Sequence, residues 1–319
     1  MAIPKETLLK MYRELVTARV MDDKLYELYS AGGSGMPWLH RGTGEEQIPI
    51  AVCNNLRKDD HFKPNFRTVY ALFAKGLSLR DCIASEMIRD LSAVGGHYSY
   101  FCPEYGLLGH SGSLGEDVCI YVGAALSAQL RKTDQVSVCA FGDGAASKGP
   151  IHEGMVMAAA WNLPIVFLIQ NNQYGEGTAA SKIYRMKDIA DRAKAYGFPG
   201  ETVDGNDVIS MYQVARKYID RARSGGGPGL IVAETYRLRG HFEGDPQFYR
   251  PKGEADEWWK KDPLARYQKK LMEMGILTEA DVSKLEKEIR AEVDKAGKEA
   301  SALPFVSYED YIKGAIAEL

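Results

Sequence analysis

The sequence has no apolar run long enough to cross a bilayer, no surplus of basic residues and no pair of cysteines at C-x-x-C spacing. A membrane-spanning helix needs about 20 consecutive apolar residues, so no membrane partner is expected. Forty Lys and Arg stand against 43 Asp and Glu, for a net charge of −3 and a pI near 6.1. That balance lacks the basic excess that follows a phosphate backbone, so no nucleic-acid partner is expected either. The five cysteines (Cys53, Cys82, Cys102, Cys119 and Cys139) are odd in number and sit in apolar runs. They read as reduced core residues of a cytosolic protein. No basic segment precedes an apolar stretch and no mitochondrial-type leader is visible. The expected location is a bacterial or archaeal cytoplasm.

What is present is enough to build a substantial core. The chain has 319 residues, 45% of them hydrophobic, sufficient for one large domain or two smaller ones. Two apolar runs dominate its centre. Val136 to Phe141 leads into Gly142-Asp143-Gly144-Ala145-Ala146, and Pro164 to Ile169 leads into Gln170-Asn171-Asn172-Gln173-Tyr174-Gly175. Short β-branched and aromatic runs closed by Gly or Asn read as buried strands. The Ala- and Met-rich stretch from Ile151 to Trp161 between them reads as a crossover helix. The polar residues then fall at the carboxyl ends of two parallel strands, where open α/β sheets place their ligands.

The residue types there suit one kind of ligand. Asp143 offers a hard anionic oxygen between two glycines, and Asn171 and Asn172 offer neutral amide oxygens. The turn through Tyr174-Gly175 can add a backbone carbonyl. One carboxylate, one amide and one carbonyl make a poor zinc site but suit Mg²⁺, which keeps positions for phosphate oxygens and water. A glycine turn that opens a helix adds backbone donors for the same phosphates. Either half alone is more often an ordinary turn. The combination, with Asn172 29 positions on from Asp143, favours a site.

Gly-Asp-Gly followed within thirty residues by Asn-Asn resembles the signature of thiamine-diphosphate enzymes. The longer run from Gly142 to Gly177 is similar to the α subunit of the 2-oxo acid dehydrogenase first component, a family that includes pyruvate, branched-chain 2-oxo acid and acetoin dehydrogenases. The similarity spans about residues 36 to 300 and is strongest in the centre. It implies an α/β thiamine-diphosphate-binding fold, a mostly parallel sheet covered by helices on both faces. The implied organisation is an N-terminal helical arm over 1–35, the diphosphate- and Mg²⁺-binding domain over 36–255 and a helical subunit-packing region over 256–319.

The resemblance also implies roles. Asp143, Asn172 and the Tyr174 carbonyl match the metal ligands, with Gly144 and Ala145 beside the cofactor. Phe66-Arg67 matches the family's aromatic-Arg pair at the diphosphate, where the planar fork of arginine binds phosphate oxygens bidentately. Gly112 and Leu114 fall where relatives hold the aminopyrimidine ring through backbone groups. Tyr236 to Pro246 resembles the family's Tyr-Arg-x-x-Gly-His loop, and His241 is the matching catalytic histidine, beside the cofactor phosphate and the reacting carbon. Its near-neutral pKa lets imidazole donate or accept. Two departures stand out. Thr68-Val69-Tyr70 occupies the place of a histidine-containing segment in many members, and Gly95 to Phe101 matches a Gly-Gly-Ser-Met-His loop only in part. His110 reads either as a turn histidine or as a substrate-pocket residue.

Elsewhere the pattern is helical. Leu8, Leu9, Tyr12, Leu15, Val16 and Val20 mark a helix over 5–30, stopped by Gly32 to Gly35. A loop with Met36, Pro37, Trp38 and His40 follows. Further helices are expected over 45–55, 79–91, 124–130 and 187–196, and from a cap at Asn206 or Asp207 to Arg223. Strands are expected over 201–205 and 230–235, and charged helices over 267–274, 281–300 and 308–319.

No second complete α/β domain precedes residue 134, so the glutamate that activates the cofactor ring is expected from a β subunit carrying the pyrimidine-binding domain. The expected assembly is an α₂β₂ heterotetramer, inactive as α alone. It would cleave a small 2-oxo acid or acyloin and pass the acyl group to a lipoyl acyltransferase component. The wording after His241 leans toward acetoin. Two alternatives compete with this reading: the N-terminal half of a split transketolase-like carboligase, suggested by Ser113-Leu114-Gly115 and the missing histidine near Val69, and a non-catalytic scaffold that kept the fold.

Overall fold

The computed structural model describes residues 3–89 and 100–309. Its centre is a five-stranded, all-parallel sheet: β1 (His61–Lys63), β2 (Ser137–Gly142), β3 (Ile165–Asn171), β4 (Gly200–Asp204) and β5 (Gly229–Glu234). The spatial order is β1-β2-β3-β5-β4. Every residue of β3 is buried, as both-face coverage of a parallel sheet requires. Gly142 pairs with Gln170 and Asn171 with Glu234, so the ends of β2, β3 and β5 lie level along one edge.

Alternate side chains enter two different cores. Val138, Ala140, Val166, Leu168, Ile231 and Ala233 join one cluster with helices α1 (Lys5–Ser30), α2 (Gln47–Cys53) and the C-terminal helices. Cys139, Phe141, Ile165, Phe167, Ile169, Leu230 and Val232 join the other, under α3 (Val118–Leu130) and α4 (Gly149–Ala160). The helix Val208–Arg223, α5, covers the first face. Its cap is Asp207, whose side chain accepts the Ser210 amide at 2.9 Å. The C-terminal helix Glu279–Ser301, α6, opens on a capping box between Thr278 and Asp281. The terminal helices are tied together: Tyr12 Oη donates to Gln268 and Tyr267 Oη to the Leu8 carbonyl, each at 3.0 Å.

Several expectations change. The strand β1 was not foreseen; Arg223 holds Asp60 just before it by a two-pronged ion pair of 2.7 and 2.9 Å, and Asp60 also accepts the Val136 amide. The helix over 79–91 ends at Glu86, because Ile88 adopts a left-handed φ of 54°. The stretch 187–196 is not one helix but a 3-10 turn (Ile189–Asp191) followed by Arg192–Tyr196; Asp188 is extended and caps the turn through the Ala190 amide. The crossover helix expected over Ile151 to Trp161 forms as Gly149–Ala160, and it does not open directly on the Gly-Asp-Gly turn. A 3-10 turn (Ala145–Ser147) and an extended Lys148 intervene before Gly149. Four cysteines are buried and reduced, but Cys119 is exposed on α3. The Gly95 loop, apart from Tyr100 and Phe101, and the last helix beyond residue 309 lie outside the described residues. Among those residues no helix is long and apolar enough to cross a membrane.

Candidate functional site

At the carboxyl edge of the sheet lies a cavity of about 650 Å³. Phe66, Arg67, Gly112, Leu114, Asp143, Gly144, Ala145, Asn172, Tyr174 and His241 all line it, although they come from five separate stretches of chain. Asn171 does not. Its amide nitrogen donates to both Glu234 oxygens at 2.8 and 3.0 Å, because successive residues of a strand face opposite ways.

The two central turns touch. A Cβ placed on Gly144 would stand 2.8 Å from the Gly175 Cα, so neither position accommodates a side chain without parting the loops. Beside them Asp143 is 1% exposed, and its Oδ2 has no hydrogen-bond partner among the described residues. Burial pushes this carboxyl up to about 7, and the neighbouring Glu45 adds to the rise. Asn172 gives its Nδ2 to the two Glu45 oxygens at 3.0 and 3.1 Å; its Oδ1 accepts the Tyr174 amide at 3.3 Å and has a second lone pair for a cation. The Tyr174 carbonyl accepts from Arg237 Nη1 at 3.2 Å and has a second lone pair. Among the described residues no cluster of three His, Cys, Asp or Glu side chains could hold a metal. A cation here would therefore rest on one carboxylate, one amide and one carbonyl. That donor set, with an unpartnered buried carboxylate oxygen, fits Mg²⁺ carrying phosphate oxygens.

Two arginines and a histidine line the same cavity. Arg67 is 2% exposed rather than a surface arginine. Its Nη1 donates to the Arg41 carbonyl and its Nη2 to the His241 carbonyl, both at 3.0 Å, while Nε lies 3.6 Å from Glu45. His241 Nδ1 is 3.3 Å from Arg67 Nη2 and 3.4 Å from Arg237 Nη1. Burial and these two guanidinium groups bring His241 down to about 4, so the ring is neutral at pH 7. Because arginines can only donate, Nδ1 accepts and the ring proton sits on Nε2. Asp245 secures the loop by accepting the His241 amide at 2.7 Å. The His40 ring meets the His241 ring edge-on at 5.1 Å and that of Phe66 at 5.2 Å, so the loop after α1 reaches the site. Trp38 packs edge-on against Phe242 at 5.4 Å.

Sequence reading missed Glu45, Arg237, Lys63 and Asp117. Glu45 sits in Gly-Glu-Glu before an apolar helix and reads as a helix start. Lys63 is a lone lysine in a three-residue strand, which normally signals solvent; here it is 1% exposed.

Comparison with known proteins agrees with this geometry. A family model described as "Dehydrogenase E1 component" matches residues 12–309. The chain is 38% identical over 305 residues to the α subunit of the acetoin:2,6-dichlorophenolindophenol oxidoreductase of Bacillus subtilis, covering 93% of this chain and 89% of that one. It is 33% identical over 315 residues to the same subunit from Cupriavidus necator, covering 97% and 94%. It is 34% identical over 290 residues to the pyruvate dehydrogenase E1 component subunit α of Rhizobium meliloti, covering 90% and 83%. With a parallel-sheet fold, an assembled carboxylate-amide turn pair and these relatives, the chain belongs to the thiamine-diphosphate-dependent dehydrogenase E1 component family, as an α subunit that works with a β subunit.

Proposed function

We propose that this subunit anchors the diphosphate and Mg²⁺ of a dehydrogenase that cleaves a 2-oxo acid or an acetoin-like acyloin and passes the acyl group to a lipoyl carrier. The observation that carries the reading is the buried Asp143 Oδ2, without a hydrogen-bond partner among the described residues, in one cavity with Arg67, Arg237 and His241. Asp143, Asn172 and the Tyr174 carbonyl would hold the ion. Arg67 and His241 would meet the diphosphate, with Phe66, Gly144 and Ala145 shaping its seat and the Gly112 and Leu114 backbones receiving the aminopyrimidine. Bound thiamine diphosphate supplies a nucleophilic ring carbon and an electron sink for breaking a C–C bond. The chain positions the reactants and excludes water. His241, neutral with its proton on Nε2, can donate that proton to a developing oxyanion and recover it later.

The partner reading has support on the surface. Helices α3 and α4 are apolar nearly all round, which befits buried helices, yet Ile120, Leu130, Val156, Met157 and Trp161 are exposed along them. Such a face suits a β subunit in an α₂β₂ heterotetramer, which a lipoyl acyltransferase would then visit in the cytoplasm.

The test is reconstitution. The α chain alone, with thiamine diphosphate and Mg²⁺, should show no turnover; appreciable decarboxylation or acyloin cleavage by α alone would count against the division of labour. In the assembly, Asp143→Ala should abolish Mg²⁺-dependent cofactor binding measured by calorimetry, and His241→Ala should keep the cofactor but lose acyl transfer to lipoamide. A wild-type assembly that binds no cofactor would refute the reading.

A further inference from the structure

The Gly-Asp-Gly turn is held from outside the cavity as well as from within the sheet. The Asp143 amide still belongs to the ladder, donating to the Gln170 carbonyl at 3.3 Å. The next peptide group, joining Asp143 to Gly144, is held by a side chain instead: Tyr184 Oη donates to the Asp143 carbonyl at 2.5 Å. Tyr184 follows the short helix Ala180–Ile183 and packs with the core under α3 and α4, whereas Gly144 lines the cavity. The peptide is trans, so a carbonyl drawn to Tyr184 turns the Gly144 N–H the opposite way. Among the described residues that N–H makes no hydrogen bond to the backbone. The far end of the turn is tied to the same stretch of chain. The buried Arg192 donates to the Ala146 carbonyl at 2.8 Å, and its guanidinium lies 5.9 Å from the centre of the Tyr184 ring.

Glycine makes such a tie necessary. Turning the peptide over changes mainly ψ of Asp143 and φ of Gly144, and glycine adopts φ of either sign at little steric cost. Gly144 has a φ of −60° in the orientation seen. In the flipped orientation a carbonyl oxygen would take the place of the N–H, setting one acceptor against the oxygens of a phosphate.

We propose that Tyr184 is a positioning residue whose hydroxyl fixes the Asp143–Gly144 peptide so that the Gly144 N–H is presented to a phosphate oxygen of the cofactor. The inference rests on the functional reading above and adds to it a side chain from the core behind the turn. A hydrogen bond on the carbonyl also polarises the peptide and strengthens its N–H as a donor. Were Tyr184 only a packing residue, its ring would carry that role and the hydroxyl would be dispensable.

The experiment uses the intact αβ assembly with Mg²⁺ and the variant Tyr184→Phe, which keeps the ring and removes only the hydroxyl. Thiamine diphosphate and inorganic pyrophosphate are each titrated by calorimetry. Both should bind the variant about 5- to 50-fold more weakly than the wild type, most of the range for a hydrogen bond to a charged group. At saturating cofactor kcat should stay within about 2-fold, the loss appearing in the KM for cofactor. Unchanged affinity for both ligands in Tyr184→Phe would overturn the inference. So would a fall in saturated kcat as large as the fall in affinity, the sign of a turn disrupted as a whole. A second measurement needs no variant: in the wild type, Mg²⁺ and pyrophosphate should slow hydrogen exchange at the Gly144 amide. Exchange at an unaltered rate would overturn the inference even if the variant failed to assemble. A wild type that binds neither ligand would overturn the functional reading itself and the inference with it.

Discussion

Asp143, which lines the cavity, and Asp117, which is bonded to the cavity's His110, are both buried carboxylates, and the protein treats them in opposite ways. Burial opposes both charges. At Asp117 the His110 hydrogen bond and the Lys63 charge outweigh that penalty and bring the carboxyl down to about 2. At Asp143 there is no comparable partner among the described residues, and burial with Glu45 nearby leaves it near 7. One anion is neutralised by the chain that carries it; the other is left for a ligand to neutralise. Buried acids of the same type therefore serve different ends, and the side chains around each decide which.

The largest expected effect breaks the Asp143 side of this contrast. Asp143→Asn should lower Mg²⁺-dependent cofactor affinity by more than about 100-fold, beyond the loss seen when only groups behind a metal ligand are changed. The same variant without ligand should be at least as stable as the wild type at pH 8, since an uncompensated buried charge has been removed. Calorimetry and urea unfolding measure the two quantities. On the other side, Asp117→Ala leaves the Lys63 ammonium buried and unpaired, for a loss of about 3–5 kcal/mol in urea unfolding. Adding Lys63→Met should recover much of it.

The pH dependence sharpens the contrast. A carboxyl held below its unfolded value near 4 contributes stability that is present above that value and lost as pH falls toward 2. For Asp117 the amount is about 2–3 kcal/mol, and Asp117→Asn should flatten that part of the acid limb. Asp143 has the reverse sign in the ligand-free chain: its raised pKa costs nothing below pH 4, and the penalty grows as pH rises to 7. Asp143→Asn should therefore gain on the wild type across that interval. A smaller effect is expected where the two turns meet. Gly175→Ala, whose Cβ would lie 2.9 Å from the Gly144 Cα, should cost about 1–3 kcal/mol and loosen the cofactor seat. Smallest in the isolated chain is Val156→Asp on the exposed face of α4, within about 0.5 kcal/mol, though it should impair assembly with β in sedimentation.

Much of the site is legible without coordinates because its key residues follow their own strands. Val136 to Phe141 and Pro164 to Ile169 announce buried strands by composition, and the Gly-Asp-Gly and Asn-Asn turns close them. Arg67 and His241 are found through resemblance to relatives, since each looks ordinary alone. Lys63, Asp117 and His110 could not be joined in advance. Lys63 and Asp117 are distant in sequence, and a lysine in a short strand gives no sign of burial. Glu45 was hidden by its place before α2. The same limit explains Cys119: its apolar surroundings imply core, while the turn of α3 points it outward.

The amino-acid order by itself determined which central segments become strands, β1 excepted, and where their polar ends lie, because periodicity and turn chemistry act over a few residues. Only the tertiary structure decided which aspartate is charged, which asparagine faces the cavity and which histidine nitrogen bears the proton. Those properties depend on solvent exclusion and on charges a few ångströms away in space, brought there by parts of the chain with no local relation to them.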